Sequence, residues 1–430
     1  MEKKYALELI EYLDKSPNNF FAIDALKNQL KKAGFQELKA TDCWSLNTDG
    51  KYFVIKNDSS LFAIIPGTAP IAEAGFKLIC AHSDSPSFRI KPNPEMLNEG
   101  ILKLNTEVYG GPILYTWFDR PLSLAGRVIL KSDNPLHPTV RLVDFKRPVL
   151  IIPHLAIHMN RGVNEGNPLS KQKDMLPVMG IVNDTFEKNN YLLGLIAAEL
   201  HTTPENILDF DLTLYDTQKG NLVGINEEFI SCGRIDDLGM VHAGMRALLD
   251  SAPCRQTKVL AVFDNEEVGS GTKQGAASPV LANILERVVN ALGGNHEAFH
   301  RAIAHSFMIS ADMAHALHPN YPEKHDPTNH PKMGAGPVIK INANQKYLTD
   351  ADSAAVFKTI CELAGVPVQQ FVNHSDMAGG STLGNILTSQ LELRGVDMGN
   401  PMWGMHSVRE TAAVADHYYA IKAFTKFFEI

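Results

Sequence analysis

A chain of 430 residues that is 44% hydrophobic and 20% charged has the composition of a globular protein and the length for two domains, which excludes extended disorder. Its 48 acidic and 40 basic residues leave a net charge of −8, and no Lys/Arg stripe interleaved with aromatics is present, so nucleic acid is not an expected partner. Five scattered cysteines without a Cys-x-x-Cys pair argue against a thiolate zinc site or a disulfide framework and fit a reducing compartment.

The opening "MEKKYALELIEYLDK" has Glu8, Glu11 and Asp14 where a signal segment would be apolar, and no later run reaches membrane-spanning length. A cytoplasmic protein with no membrane partner is therefore expected. Residues 1 to about 40 read as two helices. Ile23, Leu26, Leu30 and Ala33 share a face of the second, which Gly34 terminates. "FKLICAH" (76–82) reads as a buried strand. Residues 96–230 change texture: "TEVYGGPILYTWFDRPLSLAGRVILKS" alternates around Gly and Pro as antiparallel strands do, "NRGVNEGNPLSKQKD" (160–174) reads as a loop, and one helix is expected near 190–200.

From 231 the α/β pattern resumes. "DDLGMVHAGMRALLD" places Leu238, Val241, Met245 and Leu248 on one helical face, strands end near Phe263 and Ile309, and "PVIKI" reads as a further strand. Val414, Tyr418, Ile421 and Phe424 make the last segment an amphipathic helix. The expectation is an α/β fold, a mixed β-sheet flanked by helices, in two parts (1–95 and 231–430) interrupted by an inserted β-rich domain (96–230).

Polar residues collect after the apolar runs: His82 and Asp84, Asp236 and Asp237, Glu266 and Glu267, Asp312, and His406. Each alone has an ordinary reading. A His-x-Asp can be a surface turn, Asp236 a helix cap, and a Glu-Glu pair a solvated edge. Together, after several strands of one domain, they make the carboxyl-end crevice where open α/β sheets bind ligands. Two divalent metals polarise a carbonyl and activate water, but their repulsion calls for a bridging carboxylate. One bridging Asp plus one His and one carboxylate on each metal makes five ligands, and this set supplies five with Glu266 and Asp84 left over. A leftover carboxylate can act as general base. Asp84, two residues from His82, can fix the imidazole tautomer.

The segments "AHSDSP", "YGGPILYTWFDRPLSLAGRV", "IPHLAIHMNRGVNE", "DNEEVGSGTKQGA", "SFMISADMAHALHPNYPEKH", "GPVIKIN" and "MHSVRE", in this order, resemble the aspartyl aminopeptidase and vacuolar aminopeptidase I family. The resemblance implies a zinc aminopeptidase acting on peptide substrates, with two Zn2+ per subunit and a β-rich dimerisation domain. It also implies a homo-oligomer that is at least a dimer, with a twelve-subunit shell. By motif match, one metal takes His82, Asp236 and Asp312, and the other Asp236, Glu267 and His406. Glu266 falls on the general base, Asp84 on the His-orienting acid, and His158 on a substrate residue given to the neighbouring subunit. Lys340, on position and resemblance, is a candidate partner for an acidic N-terminal side chain; the alternative is a lysine lying along the surface. Asp237 stands where animal relatives carry Asn, and "SDMAGGSTLG" (375–384) replaces a segment they write with Ser or Thr, Pro and Cys. Rival readings are another di-zinc amidohydrolase, such as a carboxypeptidase or deacylase, and a non-catalytic scaffold.

Overall fold

Period-two alternation in the apolar runs builds the centre of the fold. In the Phe76–His82 strand, Ile79 and Ala81 face one core while Phe76, Leu78 and Cys80 face another. In Thr257–Phe263, Leu260 and Val262 join the first core and Val259, Ala261 and Phe263 the second. A strand buried on both faces has no polar side to alternate with, which is why these segments read as continuous apolar runs.

The computed structural model describes residues 1–183, 186 and 190–430. The described chain divides into two units, Met1–Asp84 with Gly220–Met405 and Glu410–Ile430, and Ser85–Lys219 with His406–Arg409. These boundaries fall at 84/85 and 219/220, earlier than the 95/96 and 230/231 expected from texture. The Ser87–Asn98 strand pairs in the sheet of the second unit, and the Asn221–Val223 strand pairs in the first. Among the described residues no helix is long and apolar enough to cross a membrane.

The first unit is built on a mixed nine-stranded sheet ordered Gln36–Glu37, Tyr52–Lys56, Ser60–Ile65, Thr257–Phe263, Phe76–His82, Phe307–Ala311, Arg394–Gly399, Val338–Lys340, Gln369–Phe371. Four central strands run parallel, with Phe263 registered on His82 and Ala311 on Met398. Their carboxyl ends therefore align in one row. One face carries the helices Glu2–Asp14, Asn19–Lys32, Ile235–Asp250, Ala351–Ala364 and Val414–Glu429. The other carries Val280–Ala291 and His296–Ala304. The predicted faces hold: Ile23, Leu26, Leu30, Leu238, Val241, Met245 and Leu248 are buried, and Asn18 caps the second helix by accepting the Phe21 N–H at 3.3 Å. Tyr418 is half-buried and stacks on Tyr5. Gly399 is required by close approach, because a Cβ there would lie 1.8 Å from the Asp312 carbonyl oxygen. A separate five-stranded sheet of strands two to four residues long, ordered Asn221–Val223, Phe229–Cys232, Glu410–Ala413, Pro401–Trp403, Ala314–His315, has no counterpart in the sequence reading.

The second unit is an antiparallel six-stranded sheet, ordered Thr139–Asp144, Leu122–Leu130, Ile207–Asp216, Ser87–Asn98, Ile101–Tyr109, Val178–Ile181, with the Tyr191–Leu200 helix packed on its core. Phe88 and Trp117 meet edge-to-face at 5.0 Å there.

Between the Ile235–Asp250 and Val414–Glu429 helices, His242 Nδ1 and His417 Nε2 lie 2.9 Å apart, both buried. Burial holds both imidazoles below the ordinary histidine range, His417 at about 3. The unfolded chain then binds more protons than the folded one once pH falls below about 6.5, and each histidine removes about 1.4 kcal/mol of stability per further pH unit. Denaturant titrations of metal-free protein at pH 7 and pH 5 should therefore give a larger loss for wild type than for His417→Gln. An equal loss would mean that the pair does not set acid stability.

Candidate active site

His82 ends its strand fully buried, with Nδ1 3.1 Å from the Asp84 carbonyl oxygen and 3.4 Å from Asp84 Oδ1. Both neighbours are acceptors, so Nδ1 carries the proton and the opposite nitrogen faces the carboxylates. Nε2 lies 3.5 Å from Asp236 Oδ1, 3.9 Å from Asp312 Oδ1 and 4.0 Å from Glu266 Oε2. Zinc with ligand bonds of 2.0–2.2 Å holds tetrahedral donors about 3.4 Å apart. These separations fit an ion between the groups better than direct hydrogen bonds.

Donor atoms of His82, Asp236, Asp237 and Asp312, all buried, lie within 4.8 Å of one another, and His82, Glu266 and Glu267 form a second such group. Asp237 accepts the His82 backbone N–H at 3.1 Å through Oδ2, while its buried Oδ1 has no hydrogen-bond partner among the described residues. Nitrogen and carboxylate donors in this crowding suit a borderline divalent metal.

Electrostatics point the same way. Burial opposes charge on His82, yet Asp236, Asp237, Asp312 and Asp84 outweigh it and hold the imidazolium well above its ordinary range. Burial first, then Asp312 and Asp236, push Asp237 well up. Burial, with Asp312, Glu267 and Asp84, pushes Glu266 to about 8 against the pull of His82. Without a cation the cluster takes up protons.

The doubled glutamate is set by its turn. Asn265, at φ +63°, and Gly269, at φ +93°, bracket a 3-10 turn from Glu266 to Val268. Asn tolerates the left-handed region, and its Oδ1 accepts from Thr272 and Gln274 at 2.8 and 2.7 Å. The Asp84 carboxylate accepts the backbone N–H of Glu266 through Oδ1 and that of Glu267 through Oδ2, both at 3.1 Å. Asp84 thus ties the turn to the His82 strand, a role the sequence did not reveal. Glu410 was missed as well: it is buried and accepts the Asp236 N–H at 3.0 Å, fixing the start of the Ile235–Asp250 segment.

Lys340, read from sequence as a partner for substrate, is buried with Nζ 3.3 Å from Asp312 Oδ2 and lies over the Tyr347 ring. Burial works against its charge, but Asp312, Tyr347, Asp397 and Asp236 keep it an ammonium. His406 belongs to the short segment grouped with the second unit. At φ +68°, its Nδ1 is 3.1 Å from the Gly111 carbonyl oxygen, the contact Asp84 makes for His82. His158 lies in an exposed turn of the second unit.

The first unit also holds a cavity of about 310 Å³ running from His315 to Met405. His318, Lys324, His325, Asn373 and His374 line it, and no Asp or Glu does. The Asn320 N–H donates to His318 Nδ1 at 3.2 Å, the His318 N–H to His325 Nε2 at 3.0 Å, and the Asp376 N–H to His374 Nδ1 at 3.2 Å. A backbone N–H can only donate, so each neutral ring carries its own N–H on the other nitrogen. The sequence shows these histidines but not their tautomers.

Residues 12–428 match the family profile described as "Aminopeptidase I zinc metalloprotease (M18)". The chain is 54% identical over 428 residues to a probable M18 family aminopeptidase 2 of Clostridium novyi, covering 99% of both. Its fold matches a chain of the cryo-EM structure of the Ape4 and Nbr1 complex with a TM-score of 0.95 and 36% identity, over 99% of this chain and 86% of that one. It matches the S. cerevisiae mApe1 dodecamer with a TM-score of 0.86 and 28% identity, over 98% and 96%. A family match of this extent, joined to a buried His and carboxylate cluster that suits zinc, places the chain in the M18 family as a zinc-dependent metallo-aminopeptidase.

Proposed function

We propose that the enzyme releases the N-terminal residue of peptides with two zinc ions, one held by His82, Asp236 and Asp312 and the other by Asp236, Glu267 and His406. The observation that carries this reading is the buried convergence of Asp236, Asp312 and Glu266 on His82 Nε2 at 3.5–4.0 Å. When bound, the zinc pair supplies polarisation of the scissile carbonyl and acidification of water. Glu266 takes the proton of the attacking water and returns it to the leaving amide nitrogen as the C–N bond breaks. Its carboxyl, pushed to about 8 by burial and neighbouring carboxylates, is drawn down again by added positive charge, which suits a base that must give its proton back. Asp84 keeps the proton on His82 Nδ1 and holds the Glu266–Glu267 turn.

Glu266→Gln should retain zinc while kcat falls about 10²–10⁴-fold, because an amide packs in the same place but takes no proton. Glu267→Gln should lose zinc as well as turnover. Metal analysis beside kinetics checks this, and equal metal loss in both variants would reverse the assignment of base and ligand.

We also propose a preference for N-terminal Asp or Glu. Lys340 is committed to Asp312, so the support comes from the acid-free cavity lined by His318, His325 and His374, each of which keeps one ring N–H. Such donors bind a carboxylate and are left unpaired by an aliphatic side chain. With Glu and Leu aminoacyl reporters, His374→Phe should lower kcat/KM for Glu at least about tenfold more than for Leu. Lys340→Ala should depress both together through poorer zinc retention. Should Lys340→Ala alone change the Glu-to-Leu ratio, the lysine rather than the histidine wall reads the acid.

The working unit is proposed to be at least a dimer, with a twelve-subunit shell as the full assembly. Leu155, Ile157 and Met159 stand exposed around His158, an apolar surface that a second copy would cover, and His158 would reach the neighbouring active site. The scattered cysteines, with no Cys-x-x-Cys pair in the sequence, support a reducing, cytoplasmic setting. His158→Ala and Glu266→Ala proteins should each be inactive, yet re-association of equal amounts should restore roughly a quarter of wild-type activity, since half the dimers are mixed with one intact site of two. Subunit exchange without recovery would remove His158 from the partner's site.

A further inference from the structure

The Val280–Ala291 and His296–Ala304 helices carry a side-chain cluster that the reaction does not use. Asn295 caps the second helix by accepting the Ala298 N–H at 2.9 Å, so His296 opens the first turn and His300 follows on the same face. Their Nε2 atoms are 3.1 Å apart and the rings nearly perpendicular, at 82°. Glu286, from the other helix, places Oε1 2.9 Å from His296 Nδ1. A carboxylate there accepts the Nδ1 proton, so the lone pair of His296 is on Nε2 and faces His300.

We propose that His296 and His300 chelate a divalent transition metal, zinc foremost, with Glu286 orienting His296 and water completing the coordination. Bonds of 2.0–2.1 Å at a tetrahedral angle set two imidazole nitrogens about 3.4 Å apart, close to the separation already present. Without the ion, His300 Nε2–H donates to His296 Nε2; to coordinate, His300 takes its other tautomer, the proton moving to Nδ1. An i,i+4 histidine pair gives two donors on one helical face, and a carboxylate on the far ring nitrogen fixes the tautomer and strengthens the ligand. The positive end of the helix dipole opposes a cation there, and the carboxylates of Glu286 and Glu297 offset it. Imidazole donors select zinc, nickel or copper over magnesium or calcium. Both histidines are exposed, and neither belongs to the catalytic groups.

Equilibrium dialysis of the zinc-loaded enzyme against rising free Zn2+ tests the site. Wild type should bind one more zinc per subunit than His300→Ala or His296→Ala, with peptide turnover equal in all three, and Ca2+ should add nothing. Glu286→Gln should weaken the extra site about 10–100-fold. Cu2+ placed in it should give an electron paramagnetic resonance spectrum with two imidazole nitrogens. Equal zinc stoichiometry in wild type and His300→Ala at saturating zinc would overturn the proposal, as would a copper spectrum with one nitrogen.

Discussion

The carboxylates of Asp236, Asp237 and Asp312, with Glu266 at their edge, converge on the His82 imidazole in a buried space, and their repulsion is the constraint the rest of the site answers. Buried like charges persist only if they are neutralised or share a cation. One answer is protons, which hold His82 charged and push Asp237 and Glu266 upward. The other is zinc, which satisfies the same oxygens without protonating them. A zinc aminopeptidase can exploit this competition, because the environment that makes a carboxylate costly to bury also raises Glu266 into a range that suits the base role proposed for it.

Holding such a cluster together falls to the backbone. Parallel register sets His82 beside Phe263 and brings Ala311, the residue before Asp312, level with Met398. Four contacts then fix these residues: Asp84 on the Glu266–Glu267 turn, Asp237 on the His82 amide, Glu410 on the Asp236 amide and Lys340 on the Asp312 carboxylate. Each sets a carboxyl group against an N–H donor or ammonium. The geometry that receives the metal is thereby present before the metal arrives.

Much of this was legible in the chain because short-range patterns carried it. Continuous apolar runs ending at His82 and Phe263 marked buried strands, and the polar residues after them marked the crevice. What stayed hidden depends on contacts remote in sequence. Lys340 reads as a free cation until its partner Asp312 is located, and the Gly111 carbonyl has no chemical signature in "YGG". The five-stranded sheet escaped because strands of two to four residues are too short to establish a period. The start of the inserted unit was displaced because the Ser87–Asn98 strand carries its Pro-Asn-Pro turn signal as a register shift between Ile90 and Glu95 and pairs on past it, so the chain has already entered the second sheet where texture would place a boundary.

On this reading zinc replaces protons in the buried cluster rather than entering a site already ionised. Calorimetric titration of Zn2+ into metal-free enzyme, in buffers of different ionisation enthalpy at pH 7, measures the protons exchanged per metal bound. A net release of protons is expected, because His82 is held charged and Asp237 and Glu266 are pushed up until the ion arrives. Zinc uptake with no proton release would contradict it.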